Sequence, residues 1–449
     1  MRELSSGAVG EASIRSRYAA SMRWSLVLLL TACQTTPTTG EEASDGRAGD
    51  RPPNVVLLFA DDLGHECLGV NGGTSYSTPR LDRMAAEGIR FRDAHATPLC
   101  TPSRAELLTG RHGFRNYERF GYLDPSERTL GTMFSEAGYA TCVVGKWQLS
   151  YGVDDPRRPA AFGFDTWCLW NTVEDRGPRY ADPRLDIDGE LHDFPGAFGP
   201  DLCCEHGLRF VAANRERPFF LHYPMILPHS PFVRTPGSPE GERTKEELFG
   251  DMVAHMDLIV GRVLDGLEDL GLAENTLVLF VGDNGTHRAI TSGWRGGEVR
   301  GGKSHLRAAG THVPMIVRWP GTAEPAVLDD LVTLVDFAPT LAELCGLDLG
   351  AAAGEDGWSF APRLRGEPGD PREWIFWHYD PRWNVPGRPG RAVYDGRFKL
   401  HHDGGLFDVL ADRDERAPLP ADAEPAVRAR LGAVLDAMPA WDPPAKARR

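Results

Sequence analysis

Two stretches far apart in the chain follow one plan, NVVLLFADDLG at residues 54–64 and TLVLFVGDNG at residues 276–285. Each is an unbroken run of valine, leucine and phenylalanine that stops at acidic residues and a glycine. A run that is apolar on every side, rather than on alternate residues, predicts a strand covered on both faces. Strands of that kind belong to parallel sheets, whose crossover connections are helices laid over the faces. The intervening segments fit this plan. PRLDRMAAEGIRF (79–91) has helical spacing and a glycine stop, and TLGTMFSEAGYATCVVGKW (129–147) predicts a helix followed by a strand. PFFLHYPMILPH (218–229) predicts a strand running into a loop, and ELFGDMVAHMDLIVGRVLDGLEDLG (247–271) a long amphipathic helix closed by Gly271. From about residue 370 the pattern changes to short strands with glycine turns, in WIFWHYDPRW, RAVYDGRFKLHH and GLFDVL, before a closing helix PAVRARLGAVLDAM. The expected fold class is therefore α/β. A large, mostly parallel sheet sandwiched by helices is followed by a smaller C-terminal antiparallel-sheet subdomain plus helix, with 53–369 and 370–449 as the expected domains.

The N-terminus carries an address. Arg15, Arg17 and Arg23 precede the apolar run WSLVLLL, which leads into LTAC at residues 30–33. The run falls short of the ~20 residues that span a bilayer as a helix, and its grammar is that of an export signal. LTAC is similar to the lipobox of bacterial lipoproteins, so Cys33 is expected to be lipidated. Residues 1–33 would then be the signal and 34–52 a flexible tether, rich in Pro, Gly and Thr. Met22 is an alternative start. The expected localisation is an exported lipoprotein, periplasmic or anchored at the outer membrane. None of the eight cysteines has a zinc-type spacing, and their pairing is not legible from sequence. A formal net charge of −15 argues against nucleic acid as a partner, and it requires any anionic substrate to find a locally cationic or metal-bearing pocket.

In open α/β sheets ligands bind beyond the carboxyl ends of the strands. Asp61 and Asp62 end one strand, Asp283 and Asn284 another, so both pairs can converge on one rim. Three carboxylates and an amide oxygen are hard ligands, suited to Ca²⁺ or Mg²⁺ rather than zinc. A helix cap or turn is the competing use of an aspartate in such a place.

Between the two pairs lies CTPSRAELLTGR (100–111), which closely resembles the signature of the type I, formylglycine-dependent sulfatases of the alkaline phosphatase superfamily. ADDLG, GKW (145–147), PHSPF (228–232), GDNG, GGK (301–303) and HVPMIVRWPG (312–321) follow the order of that family, and the resemblance covers about residues 53–436. Among known members it is similar to bacterial arylsulfatase-like lipoproteins. The resemblance implies an alkaline phosphatase-like fold and a sulfuric ester hydrolase acting on a sulfate monoester, with a sulfated carbohydrate as the expected substrate. It also implies that a separate formylglycine-generating enzyme oxidises Cys100 to an aldehyde. The hydrated aldehyde offers two hydroxyls. One attacks sulfur as the alcohol leaves, and the other then loses its proton, expelling sulfate and restoring the aldehyde. By the same resemblance Asp61, Asp62, Asp283 and Asn284 bind calcium together with residue 100, and Arg104 holds the modified side chain. Lys146 and Lys303, two of only five lysines, contact the sulfate. His229 hydrogen-bonds the sulfate and is a candidate to protonate the leaving oxygen.

Two departures stand out. Gln148 occupies the position where many members carry a histidine that helps deprotonate the diol, and an amide cannot accept that proton. His287 is the candidate substitute. Ala308 and His312 stand where the commoner pattern has Glu and Arg. Trp294, Arg295, Glu298 and Arg300, together with His378, Asp380, Arg382 and Trp383, are loop residues of a type suited to an anionic sugar. The competing expectations are a phosphodiesterase or phosphonate monoester hydrolase on the same scaffold, and a non-catalytic sulfated-glycan binder.

Overall fold

The computed structural model describes residues 51–153, 155, 157–170, 172, 177–351, 354–381 and 389–439. The signal, Cys33, most of the tether, Arg382 and Trp383 lie outside these residues. No described helix is long and apolar enough to cross a membrane.

One sheet carries the molecule. Its strands are β1 (Asn54–Ala60), β2 (Ile89–His95), β3 (Ala140–Lys146), β4 (Thr166–Trp170), β5 (Arg184–Ile187), β6 (Glu190–Asp193), β7 (Phe219–Pro224) and β8 (Thr276–Gly282). A separate hairpin, β9 (Thr291–Trp294) and β10 (Gly297–Arg300), precedes the last two sheet members, β11 (His312–Arg318) and β12 (Ala326–Thr333). The spatial order is β12-β2-β11-β8-β1-β7-β3-β4-β5-β6. The central run β8-β1-β7-β3-β4 is parallel throughout, and the two-sided burial read from the sequence is its cause. Val55, Leu57 and Phe59 of β1 enter one hydrophobic cluster, and Val56, Leu58 and Ala60 enter the cluster on the opposite face.

This topology sets the site. Parallel strands end on the same edge, so the segments after β1, β3, β7 and β8 meet there. Because β11 is antiparallel to both β8 and β2, the two reversals cancel and β2 ends on that edge too. Cys100 starts a helix five residues beyond its end.

The C-terminal strands β13 (Ile375–Tyr379), β14 (Gly390–Tyr394), β15 (Phe398–His401) and β16 (Leu406–Asp408) form an antiparallel sheet, with the helix Pro425–Ala437 packed on it. Its other face supports the site from below. Ile375, Trp377 and Tyr379 share a cluster with Leu99 and Cys100, and Trp377 Nε1 donates to the carbonyl of Ala96 at 2.9 Å.

Candidate active site

The helix Cys100–Thr109 is buried at all ten positions, and Thr101, Ser103 and Arg104 of the CTPSR string each have a structural task. Thr101 Oγ1 accepts the N–H of Gly121 (3.1 Å). Ser103 Oγ donates to the carbonyl of Thr97 (3.2 Å), pinning the turn that enters the helix. Arg104 donates from Nη1 to the carbonyl of Lys146 (2.9 Å) and from Nη2 to Asp283 (3.4 Å). The helix stops at Gly110, whose φ of +64° is left-handed and where a Cβ would come within 2.7 Å of Ala338 and Gly354.

Asp61, Asp62, Asp283 and Asn284 are fully buried side by side. The register that pairs Ala60 with Gly282 sets the two acidic turns level. Asp62 N donates to Asp283 Oδ1 at 2.9 Å. Asn284 Nδ2 donates to Asp62 Oδ1 (2.8 Å) and to the carbonyl of Gly285 (2.9 Å), which turns its amide oxygen the other way. Lys146 Nζ lies 2.7 Å from Asp61 Oδ2 and Lys303 Nζ 2.5 Å from Asp62 Oδ1. With Arg104, three cations therefore face three carboxylates.

The carboxylates still leave oxygens over. Asp61 Oδ1, Asp62 Oδ2 and Asn284 Oδ1 are buried acceptors with no hydrogen-bond partner, a costly state unless something cationic belongs among them. Asp61, Asp283 and the Cys100 sulfur offer ligand atoms within 4.8 Å of one another, as do Asp61, Asp62 and His229. Burial would raise Asp61 and Asp62, but the surrounding cations, led by Lys146 for the first and Lys303 for the second, together outweigh it and hold both low. Asp283 is pushed well up, by burial and then by the charge of Asp61. The donor set is all oxygen apart from residue 100. The four predicted ligands fit a hard divalent cation.

A cavity of about 240 Å³ opens over Cys100 and is walled by Lys146, Gln148, His229 and Lys303. Burial pushes the Cys100 thiol above its ordinary value although Lys146 and Lys303 pull the other way, so an unmodified cysteine here is a poor thiolate. The Lys303 ammonium is pushed up, because Asp62 and its neighbours outweigh burial. His229 is pushed down to about 3, by burial first and then by Lys303. Gln148 is buried, with its amide oxygen unpartnered. Asp62, Gln148 and Ser304 all have left-handed backbones (φ +67°, +58° and +70°), a strain of ~1–3 kcal/mol each that clusters at functional sites.

The structure adds residues that no sequence motif announced. Arg179 stacks on Trp170 (4.5 Å) and reaches His229 Nδ1 with Nη2 at 3.0 Å. Arg179, Trp170, Arg288, Tyr151 and Phe120 all line the cavity. His287 lines it too, but its Nδ1 accepts the N–H of Ala289 at 3.1 Å, which leaves the ring proton on Nε2 and makes it a donor rather than a base. Trp294 and Arg295 line a different cavity. Their hairpin is docked on the 72–74 loop, where Gly73 bridges Trp294 and Arg295 N donates to Gly72. Glu298 and Arg300 are exposed on the same hairpin, and His378 packs edge-on against Phe114. At the other departure, Ala308 and His312, the C-terminal segment brings a carboxylate and a guanidinium to the two positions. Glu415 Oε1 accepts the N–H of Ala308 (2.7 Å), and Arg413 Nη2 meets His312 Nδ1 (3.1 Å).

The sequence model of the family described as Sulfatase matches residues 53–347, and that described as N-sulphoglucosamine sulphohydrolase, C-terminal, matches residues 302–418. Human arylsulfatase A is 34% identical over 389 residues, covering 79% of this chain and 76% of its own. Canine N-acetylgalactosamine-6-sulfatase is 33% identical, with 78% and 71% covered. A solved Bacteroides thetaiotaomicron protein, described under the metabolism of multiple glycosaminoglycans, superposes with a TM-score of 0.73 at 25% identity, covering 86% of this chain and 99% of that one.

Proposed function

The chain belongs to the sulfatase family and is a sulfuric ester hydrolase; from that premise we propose that it cleaves a sulfate monoester on a carbohydrate, with a formylglycine made from Cys100 as nucleophile and calcium as its metal. The observation that carries the reading is the placement of Cys100 beside Asp61 and Asp283 in a cavity walled by two lysines, with unpartnered oxygens left on Asp61, Asp62 and Asn284. Asp61, Asp62, Asp283 and Asn284 would hold the cation, whose chemistry is to lower the pKa of the attacking hydroxyl and draw charge off the sulfate.

The chain's own residues do the rest. Arg104, tied to Lys146 and Asp283, fixes the helix start, so that residue 100 faces the cavity in one orientation. Lys146 and Lys303 stand on the cavity side of the carboxylates and neutralise the charge that builds on the sulfate oxygens as the ester bond breaks. Nδ1 of His229 is held between the Arg179 guanidinium (3.0 Å) and the carbonyl of Ser230 (2.5 Å), which fixes the ring so that Nε2 is the nitrogen presented to the leaving oxygen. The unpartnered amide oxygen of Gln148 would accept a hydrogen bond from a hydroxyl at residue 100 and orient it, and the proton that an amide cannot take would pass to water. Trp170, Tyr151 and Phe120 suit a sugar face, and Arg179 and Arg288 an anionic substituent. The relative named for an N-acetylgalactosamine sulfate agrees with that substrate class. The LTAC sequence supports export as a lipoprotein anchored through Cys33.

The test is mass spectrometry of the tryptic peptide Asp93–Arg104 from a host with the modifying enzyme, together with calcium-dependent release of sulfate from sulfated sugars. An aldehyde at residue 100 and sulfate release are the expected results. A persistent thiol in that host, or a strong preference for phosphate diesters, sinks the reading.

A further inference from the structure

A second cavity, of about 470 Å³, shares no lining residue with the first. Its volume lies in the ~300–1,000 Å³ range of ligand pockets. One wall is a stack of three imidazoles. His65 lies on His312 with centroids 3.9 Å apart, and His95 covers the other side at 5.0 Å. His312 is fixed in one tautomer, since Nε2 donates to the carbonyl of Arg92 (2.9 Å) and Nδ1 faces Arg413. Burial holds all three rings below their ordinary proton affinity, so the stack is uncharged.

The charge of the cavity comes from elsewhere. Both carboxylates in its lining are already engaged. Asp93 takes His95 Nε2 (2.8 Å) and the Tyr394 hydroxyl (3.2 Å), while Asp329 pairs with Arg92 at 2.6 Å. Two guanidiniums are left over. Arg413 lies 4.2 Å and Arg295 4.6 Å from the centroid of the Trp294 ring, and the indole is itself anchored by Nε1 to the carbonyl of Asn71 (3.0 Å). Among the described residues neither arginine has a carboxylate within ion-pair distance, and Arg413 Nε is buried with no partner. The nearby Glu66 is pushed up by burial, toward its uncharged form. Two guanidiniums without an ion-pair partner therefore face one cavity, outnumbering the single charge that Asp93 keeps there, in a chain whose formal net charge is −15.

We propose that this cavity is a second anion site, which uses Arg413 and Arg295 to bind a sulfate-type oxyanion, either free or carried on a saccharide. Planar guanidiniums match the paired oxygens of such groups. The ring stacked against both arginines, the half-buried Arg413 and the exposed Arg295, holds them at the cavity, and the indole face strengthens its hold where a cation is desolvated. The volume leaves space for a sugar unit behind the charged group. A bound saccharide would make the enzyme grip its substrate at a point separate from the scissile ester.

The experiment uses purified protein and selenate, a sulfate isostere that scatters anomalously, soaked into crystals of the wild type, Arg413→Gln and Arg295→Gln. The expected result is an anomalous peak at Arg413 and Arg295 that either substitution removes, while a peak over residue 100 persists. Calorimetry with inorganic sulfate and with a sulfated disaccharide separates the sources. The arm in which Arg413→Gln weakens binding at least ~10-fold identifies the ligand, since charge-assisted hydrogen bonds are of that strength. Arg413→Lys keeps the charge and is expected to lie between the two, which guards against a folding defect in the glutamine variant. Absence of selenate at this cavity with no Arg413-dependent component in either arm overturns the proposal. So does a peak indifferent to both substitutions, which would be an adventitious ion. Hydrolysis assays report on the other cavity, so failure here is distinguishable from failure of the sulfatase reading.

Discussion

Arg104 donates to the backbone carbonyl of Lys146 at 2.9 Å and lies 3.4 Å from Asp283, so one buried side chain couples the helix of the nucleophile position to the ends of β3 and β8. Replacing it by methionine keeps much of its volume and leaves three buried carboxylates facing two cations. A loss of ~3–5 kcal/mol is expected, the cost of breaking a buried ion pair. Calcium is expected to restore part of it. Thermal denaturation with and without calcium measures both effects, and a calcium-independent loss counts against the metal assignment.

Chelation is expected to abolish sulfate release and lower Tm, with calcium reversing both. At a hundredfold excess over Kd a bound cation stabilises the fold by ~2.7 kcal/mol. Asn284→Leu removes one unpartnered oxygen and the donor to Asp62, so the calcium-induced rise in Tm should shrink. An unchanged rise would exclude Asn284 as a ligand.

Gln148 sits against the cavity with its amide oxygen unpartnered and its backbone left-handed. Gln148→Ala is expected to lower kcat about tenfold, the worth of a ~1.4 kcal/mol hydrogen bond, with KM little changed. Gln148→His supplies a proton acceptor, and histidine is among the residues that tolerate positive φ. It should speed the sulfate-release step. Burst kinetics reads that step directly, and equal release rates in wild type and histidine variant would show that Gln148 does not limit turnover.

Glu415 accepts from Lys399 Nζ (3.1 Å), His401 Nε2 (2.8 Å) and Ala308 N (2.7 Å). Burial opposes its charge, but Lys399 and His401 outweigh burial and hold its carboxyl below the ordinary 4.5. A depressed folded pKa means that the contribution to stability is complete above about pH 4.5 and disappears as pH falls through the folded value. Glu415→Gln is expected to lose ~3–5 kcal/mol at neutral pH by stranding the buried Lys399 charge. Its stability should also fall less steeply than that of the wild type in acid. Denaturant midpoints across the acid range measure both slopes, and parallel slopes would remove Glu415 from the acid response.

Cys33→Ser is expected to move the protein from the membrane fraction to the soluble fraction and to abolish labelling by a radioactive fatty acid. Labelling that survives the substitution places the anchor elsewhere.

Much of this was legible in the sequence because the relevant signals are local. Strand β1 announced its two-sided burial in seven consecutive residues, and parallel topology then required Asp61 and Asp283 to share an edge. Arg179 was not legible. It lies outside any helix or strand, with no periodicity to announce it, and its approach to His229 is a contact between residues fifty positions apart. Trp294 and Arg295 have the chemistry of a sugar-binding loop, yet their hairpin is held by the backbone of residues 72–74 and turned to the other cavity. Nor does any local pattern in GTHVP show that Arg413 comes to His312 from a hundred residues downstream.

The complete burial of the helix Cys100–Thr109, in which Cys100 retains 1% exposure, also bears on timing. Under the proposed chemistry a second enzyme must touch Thr101, Pro102, Ser103 and Arg104 in order to oxidise their neighbour. In the finished fold Thr101 is already committed to Gly121, Ser103 to Thr97 and Arg104 to Lys146 and Asp283, and Pro102 is buried. The tag would then be readable only on a chain that has not yet closed over it, so that its conversion would compete with folding. A molecule that folds first keeps its thiol for good.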